Sequence, residues 1–299
     1  MDTSAVSAGT ARWTAAARAR ESARSDRLFD DPWAAALAQP DGFAMLTARE
    51  PDGVANPYLP VRTRFFDDLI VSHSSWATQL VLLGAGHDTR AMRLPLPAAL
   101  TVFALDQTDV LHRTEQVIAG ARSARGPAPA WVPVAVDLGD AWEEPLLTAG
   151  FDRTAPTIWV AEGLLFHLAE AQVHALLKRV AELALDRSLL VADAFGSGLL
   201  DLPTTRGLVA HRTSTGRPLP FCTDAPEALL RASGWTPERF VEPGQAAANY
   251  GRMHQLPDDW DGGSAPTLRT YFMIGSRGMP GTAGVARTDL STPEPIGVL

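Results

Sequence analysis

The chain has 299 residues, 46% hydrophobic and 20% charged, which is enough apolar side chain for a large core and unlike a disordered composition. Its 26 Lys and Arg against 34 Asp and Glu leave a net charge of −8, which argues against a nucleic-acid partner, because phosphate binding needs a concentrated basic surface. The lone cysteine, Cys222, excludes an internal disulfide framework and a cysteine-cluster metal site, and no metal is expected.

The first twenty residues lack the uninterrupted apolar core of a signal peptide. No later run reaches the ~20 apolar residues of a membrane helix, so a soluble, cytoplasmic protein with no membrane partner is expected. Residues 1–75 carry helical stretches broken at "DDPW" and "EPDGVANPY", with a third run through "VRTRFFDDLIVSH", and read as an N-terminal helical cap. From Trp76 onward apolar runs alternate with helical patterns: "QLVLLGAG", "TVFALD", "WVPVAVD", "PTIWVAEG" and "RSLLVADAFG". Five such runs predict a mostly parallel sheet covered on both faces, an α/β core over 76–278 whose ligands gather at the strand C-termini.

In "EAQVHALLKRVAELAL", Val173, Leu176, Leu177, Val180 and Ala184 share one helical face, as in a crossover helix. The segment 196–223 has several Gly and Pro residues and no clear period, and reads as a lid insertion long enough to cover a site. A helix from Asp224 stopping at Gly234 follows, then strands in "RFVEPG" and "TYFMIGSRG". Residues 279–299, rich in Pro, Gly and Thr, read as a flexible tail.

Gly84 and Gly86 follow a buried strand and precede a helix, where glycines let backbone approach a ligand closely. Thr89 stands where a dinucleotide fingerprint would place its third glycine. Asp106, at the end of "FALD", can accept hydrogen bonds from both ribose hydroxyls, which serves a nicotinamide dinucleotide and S-adenosylmethionine alike. Asp137 and Glu162 end neighbouring strands and would put two further acids around the crevice. That surrounding is hostile to a pyrophosphate and suited to a ligand with a sulfonium and an ammonium.

Together "LLGAGHDTRAMRL", "FALDQ", "VPVAVDLGD", "AGFDRTAPTIWVAEGLLFHL" and the upstream "VRTRFFDD" resemble the leucine carboxyl methyltransferase family, including its bacterial S-adenosylmethionine-dependent and polyketide O-methyltransferase branch. The resemblance spans about residues 15–275. It implies a class I methyltransferase fold, a Rossmann-like sheet, and S-adenosyl-L-methionine as cofactor. By that resemblance Gly84 and Gly86 lie under the methionine part, Asp106 holds the ribose, Asp137 with Leu138 frames adenine, and Glu162 lines the cofactor floor. Arg62 and Arg64 clamp the cofactor carboxylate, a role that suits a guanidinium fork, whose competing role is an ion pair with Asp67 or Asp68. Two positions depart from the family pattern: His87 where an apolar residue is usual, and His167 where tyrosine is usual.

The expected activity is transfer of a methyl group to a hydroxyl, such as a phenol, or to a carboxylate of a small molecule, with His167 as base and His87 as its rival. Phe195, Leu199, Leu200, His211, Phe221 and Trp13 are candidates for the acceptor pocket. A nicotinamide oxidoreductase, a non-methylating cyclase or binding protein with a structural S-adenosylmethionine, and a methyltransferase acting on a protein carboxylate are the competing readings.

Overall fold

All five apolar runs pair side by side in the computed structural model, which describes residues 3–50, 53–122, 128–202, 205–216, 218–257 and 269–278. They are β1 (Gln79–Leu83), β2 (Thr101–Asp106), β3 (Ala130–Ala135), β4 (Thr157–Ala161) and β5 (Leu189–Phe195). With β6 (Thr236–Val241) and β7 (Thr270–Ser276) they form a seven-stranded sheet in the order β3-β2-β1-β4-β5-β7-β6. The first five strands run parallel, and β7 is antiparallel to both β5 and β6. This is a Rossmann-like α/β sheet of the class I methyltransferase kind. The chain order reverses between β1 and β4, the switch point at which open α/β sheets bind ligands beyond their strand ends.

Alternation along the strands builds two cores. Val81, Leu83, Phe103, Leu105, Trp159 and Ala161 face one way, against α8 (Glu170–Leu183), whose Val173, Leu176, Leu177 and Val180 form the stripe expected of a crossover helix. Leu80, Leu82, Val102, Ala104, Ile158 and Val160 face the other way. There they meet α4 (Tyr58–His73) through Val61, Phe65, Phe66, Leu69 and Ile70, each buried side chain contributing about 1.5–3 kcal/mol.

A division of the chain at residue 75 therefore cuts through one layer: α4, expected as part of the cap, covers the sheet. The segments before it, α1 (Thr3–Ser22), α2 (Ala34–Leu37) and α3 (Gly42–Arg49), gather around a small cluster of Ala15, Ala16, Ala17, Leu37 and Leu46, which Leu59 at the start of α4 joins. Further along are α5 (Arg90–Arg93), α6 (Thr108–Arg122), α7 (Glu143–Thr148), α9 (Arg206–Ser214) and α10 (Pro226–Ala232). Gly234, at φ +85°, ends α10 as its position predicts.

The segment expected as an aperiodic lid holds a 3-10 turn at Ser197–Asp201 followed by α9. The predicted tail lies outside the described residues. Among the described residues no helix is long and apolar enough to cross a membrane.

Candidate active site

A cavity of about 440 Å³ opens at the C-terminal ends of β1, β2, β3 and β4, within the usual range for a small-molecule site. Its floor is the glycine turn. Gly84 and Gly86 take φ of +63° and +54°, the left-handed region in which a side chain is strained, and a Cβ on Gly84 would stand 3.0 Å from Leu164. The turn is tied to β2 twice: Ala85 N donates to Leu105 O at 2.9 Å, and Gly86 N to Asp106 Oδ2 at 2.7 Å. Gln107 N donates to the other Asp106 oxygen at 2.7 Å. Asp106, Asp137, Leu138 and Glu162 all line this one cavity. Asp137 is exposed at the end of β3, its Oδ1 accepting from Gly139 N at 2.8 Å.

The helix after the turn, α5, is a single turn, and Asp88 occupies its start: Arg90 N donates to Asp88 Oδ1 at 2.7 Å. A pyrophosphate requires free N–H groups and a positive end at this place, and a carboxylate already holds it. Thr89, where a third glycine would stand, is buried and donates to Asp31 Oδ2 at 2.8 Å. The dinucleotide reading loses its anchor.

A network of arginines and acids builds the next wall. Arg62 Nε donates to Glu162 Oε1 at 3.0 Å and Nη1 to Asp193 Oδ2 at 3.3 Å. Arg90 pairs with Glu162 Oε2 at 2.6 Å and donates to Asp67 Oδ1 at 2.7 Å, while Arg93 grips both Asp67 oxygens at 2.5 and 2.7 Å. Burial pushes the Glu162 carboxyl up, but the Arg90 and Arg62 guanidiniums outweigh it and hold the group at about 2, so it is ionised at neutral pH.

Arg62 lines the cavity. Arg64, expected beside it, does not. A step of two residues on a helix turns a side chain to another face. Arg64 Nε donates to Asp68 at 2.8 Å and Nη1 to Leu28 O at 2.7 Å, with Tyr250 OH donating to the same Asp68 at 3.0 Å. The ion pair weighed as its competing role is what it forms, in a buried rather than a surface setting.

His167 lies on the 3-10 turn Leu165–His167 that leaves β4, an exposed residue that lines the cavity at its edge. Loss of ring hydration beside the cavity wall, then the charges of Arg62 and Arg212, push its pKa below the usual 6.5 against the opposing pull of Asp193, which favours the neutral imidazole at physiological pH. His87 is a different case. It is 3% exposed, its Nδ1 stands 2.9 Å from Thr114 Oγ1, and burial together with Arg18, Arg113 and Arg12 lowers it to about 3. A base that weak does not serve at neutral pH, and the rival assignment falls.

The lid and aromatic candidates are also displaced. Phe221 is buried in the sheet core, Arg49 stacks on Trp13, and neither these nor Phe195, Leu199, Leu200 and His211 line the cavity. From the cap, one helical face of α1 does: Thr10, Ala11, Thr14 and Arg18. Arg18 fastens it, donating to Asp31 Oδ2 at 2.9 Å and to His87 O at 2.6 Å.

Sequence reasoning missed Asp193. Its side chain is fully buried on β5 and accepts from Tyr58 OH at 2.7 Å, Gly163 N at 2.5 Å and Arg62, so it joins α4 to the turn after β4. Gly163, at φ +64°, must be glycine, since a Cβ would lie 2.8 Å from the Arg62 guanidinium. The signal was one acid inside "LLVADAF". Among the described residues no group of three His, Cys, Asp or Glu is placed to hold a metal ion.

The leucine carboxyl methyltransferase family signature matches residues 11–181. The chain belongs to this family of S-adenosyl-L-methionine-dependent methyltransferases. A protein of Mycolicibacterium gilvum (strain PYR-GCK), assigned by name to those enzymes, is 34% identical over 279 residues, covering 85% of this chain and 89% of that protein. Another, from Frankia alni (strain DSM 45986), is 34% identical over 265 residues, covering 85% and 91%. A third, from Parafrankia sp. (strain EAN1pec), is 41% identical over 198 residues, and the match spans 62% of this chain and 63% of that relative, a little under two thirds of its length. Among solved structures, a DUF574-family protein of Streptomyces avermitilis shares the fold with a TM-score of 0.52 at 16% identity, over 88% of this chain and 97% of that one.

The cavity fits the cofactor of this family on its own terms. Its lining offers carboxylates (Asp106, Asp137, Glu162) able to accept from hydroxyl and amino groups, a guanidinium (Arg62) suited to a carboxylate, and a helix start that Asp88 closes to phosphate.

Proposed function

We propose that this chain is an O-methyltransferase that modifies a hydroxyl group of a small molecule in the cytoplasm, with His167 as the base. Asp106 would hold the cofactor ribose, Asp137 and Leu138 its adenine, and Arg62 its carboxylate through the N–H donors that Glu162 and Asp193 leave free. When bound, the cofactor supplies a methyl group already activated for displacement. Gly84 and Gly86 leave room beneath it, and α1 roofs the site against water.

The observation that carries the choice of a hydroxyl is the neutral His167 imidazole facing the cavity. A carboxylate acceptor needs no base, whereas a hydroxyl gains from a group that takes its proton during transfer. The depressed pKa keeps imidazole unprotonated down to below 6.5, so the acidic limb of the rate profile should lie below that pH.

The test is an acceptor screen with methyl-labelled S-adenosylmethionine, followed by mild alkali, which releases label from methyl esters and leaves methyl ethers intact. His167→Gln and His167→Phe should keep cofactor affinity and lose ~10²- to 10⁴-fold in rate, together with the acidic limb. Unchanged rates in both variants, or label released by alkali, would remove His167 as base and point to a carboxylate acceptor. Cofactor recovered intact with every acceptor would favour a non-methylating role.

A further inference from the structure

Five arginines line the cavity: Arg18, Arg62, Arg90, Arg93 and Arg212. Four of them are matched by carboxylates. Arg18 pairs with Asp31, Arg62 with Glu162 and Asp193, Arg90 with Asp67, Asp88 and Glu162, and Arg93 with Asp67. Arg212 has no carboxylate among the described residues. Among the described residues its one side-chain hydrogen bond runs from Nη1 to Pro218 O at 2.8 Å, and its remaining guanidinium donors have no protein acceptor there.

Its position is also distinctive. Arg212 sits on α9, the lid helix, and is the only described lid side chain that reaches the cavity. It faces the same end as His167, whose basicity its charge lowers. The acids of the cavity belong elsewhere: Asp88 to the glycine turn, and Asp106, Asp137 and Glu162 to the ends of β2, β3 and β4. Glu162 is already neutralised by Arg62 and Arg90. The acceptor end thus presents a neutral imidazole and an unmatched guanidinium, a surface that favours an anion and disfavours a cation.

We propose that the acceptor is a carboxylate-bearing hydroxy compound, gripped at its carboxylate by Arg212 of the lid while its hydroxyl turns to His167. This rests on the methyltransferase reading of the same site. A carboxylate held in a charge-assisted pair is a poorer nucleophile than a free one, so the pair anchors the molecule and the hydroxyl is the atom that reacts. Because the anchor rides on the lid, an anionic acceptor also draws α9 towards the cavity, and a neutral analogue does not.

The experiment measures binding rather than turnover. The full-length protein is saturated with S-adenosylhomocysteine, and benzoate, phenylacetate and 4-hydroxybenzoate are titrated against their amides, benzamide, phenylacetamide and 4-hydroxybenzamide, up to 20 mM with ligand-detected NMR. Each acid should bind roughly 10-fold more tightly than its amide. Arg212→Gln should erase that preference, Arg212→Lys should keep part of it, and the affinity for S-adenosylhomocysteine should be equal in all three proteins. Equal affinity of acids and amides for the parent, absence of binding by any acid, or a preference that survives Arg212→Gln would overturn the proposal. So would weaker S-adenosylhomocysteine binding by Arg212→Gln, which would assign Arg212 to the cofactor. Failure of the parent to bind S-adenosylhomocysteine strikes the methyltransferase reading itself, and the acid-over-amide preference of the unloaded protein then still decides the role of Arg212.

Discussion

Two helices border the cavity, and they are opposites. In α4 every residue from Leu59 to Ile70 is buried, and its charged members are all matched: Arg62 by Glu162 and Asp193, Arg64 by Asp68, Asp67 by Arg90 and Arg93. In α9 no residue is buried, Leu208 is 38% exposed, and the helix's main packing partner is the neighbouring 3-10 turn. The first helix holds Arg62 in one place, which suits the cofactor-binding role proposed for it. The second is bound weakly enough to open, as exchange of acceptor and product requires.

The largest effect is expected from breaking the rigid side. Asp193→Ala leaves Arg62 short of a buried partner and frees Tyr58 and the Gly163 turn, and should cost about 3–5 kcal/mol in urea unfolding. Asp193→Asn keeps the shape and part of the bonding and should fall between that variant and the parent. If both match the parent, the link from α4 through β5 to the turn after β4 is not what stabilises this wall.

A smaller effect belongs to the glycine turn. The folded pKa of His87 is lowered to about 3 from 6.5, so between those values the unfolded chain takes up a proton that the folded chain refuses. The stability that His87 contributes is therefore complete above about pH 6.5 and is lost as pH falls towards 3, at a slope approaching ~1.4 kcal/mol per pH unit. Replacing His87 with Asn should lower the slope of stability against pH between pH 6 and 5, relative to the parent measured alongside. An unaltered slope would mean that His87 is solvated in the folded protein.

The smallest effect should come from the lid. Leu208→Ser should change unfolding stability by no more than about 0.5 kcal/mol, and amides of 206–214 should exchange with solvent long before those of α4. Protection of α9 equal to that of α4 would erase the contrast between the two helices.

Strands β1 to β5, the α8 stripe and the glycine turn were legible in sequence because each is encoded by neighbours: runs of buried side chains, a helical period, and residues tolerant of positive φ. The cap boundary was not, since α4 is buried all round and shows no amphipathic contrast from which its depth could be read. Arg62 and Arg64 looked equivalent in "VRTRFF", and only the direction of each side chain separates a cavity wall from a pair with Asp68.

The sequence by itself determined the strand order in the chain, the glycine turn that lines the cavity and the acids at the strand ends, because these follow from local chemistry repeated along one polymer. Tertiary structure alone decided which charges cancel. Asp193 stands 131 residues from Arg62, and Glu162 stands 100 residues from it. Whether an arginine in the cavity is matched, like Arg62, or unmatched, like Arg212, is set by those distant partners, because the energy of a charge depends on what lies within a few ångströms in space.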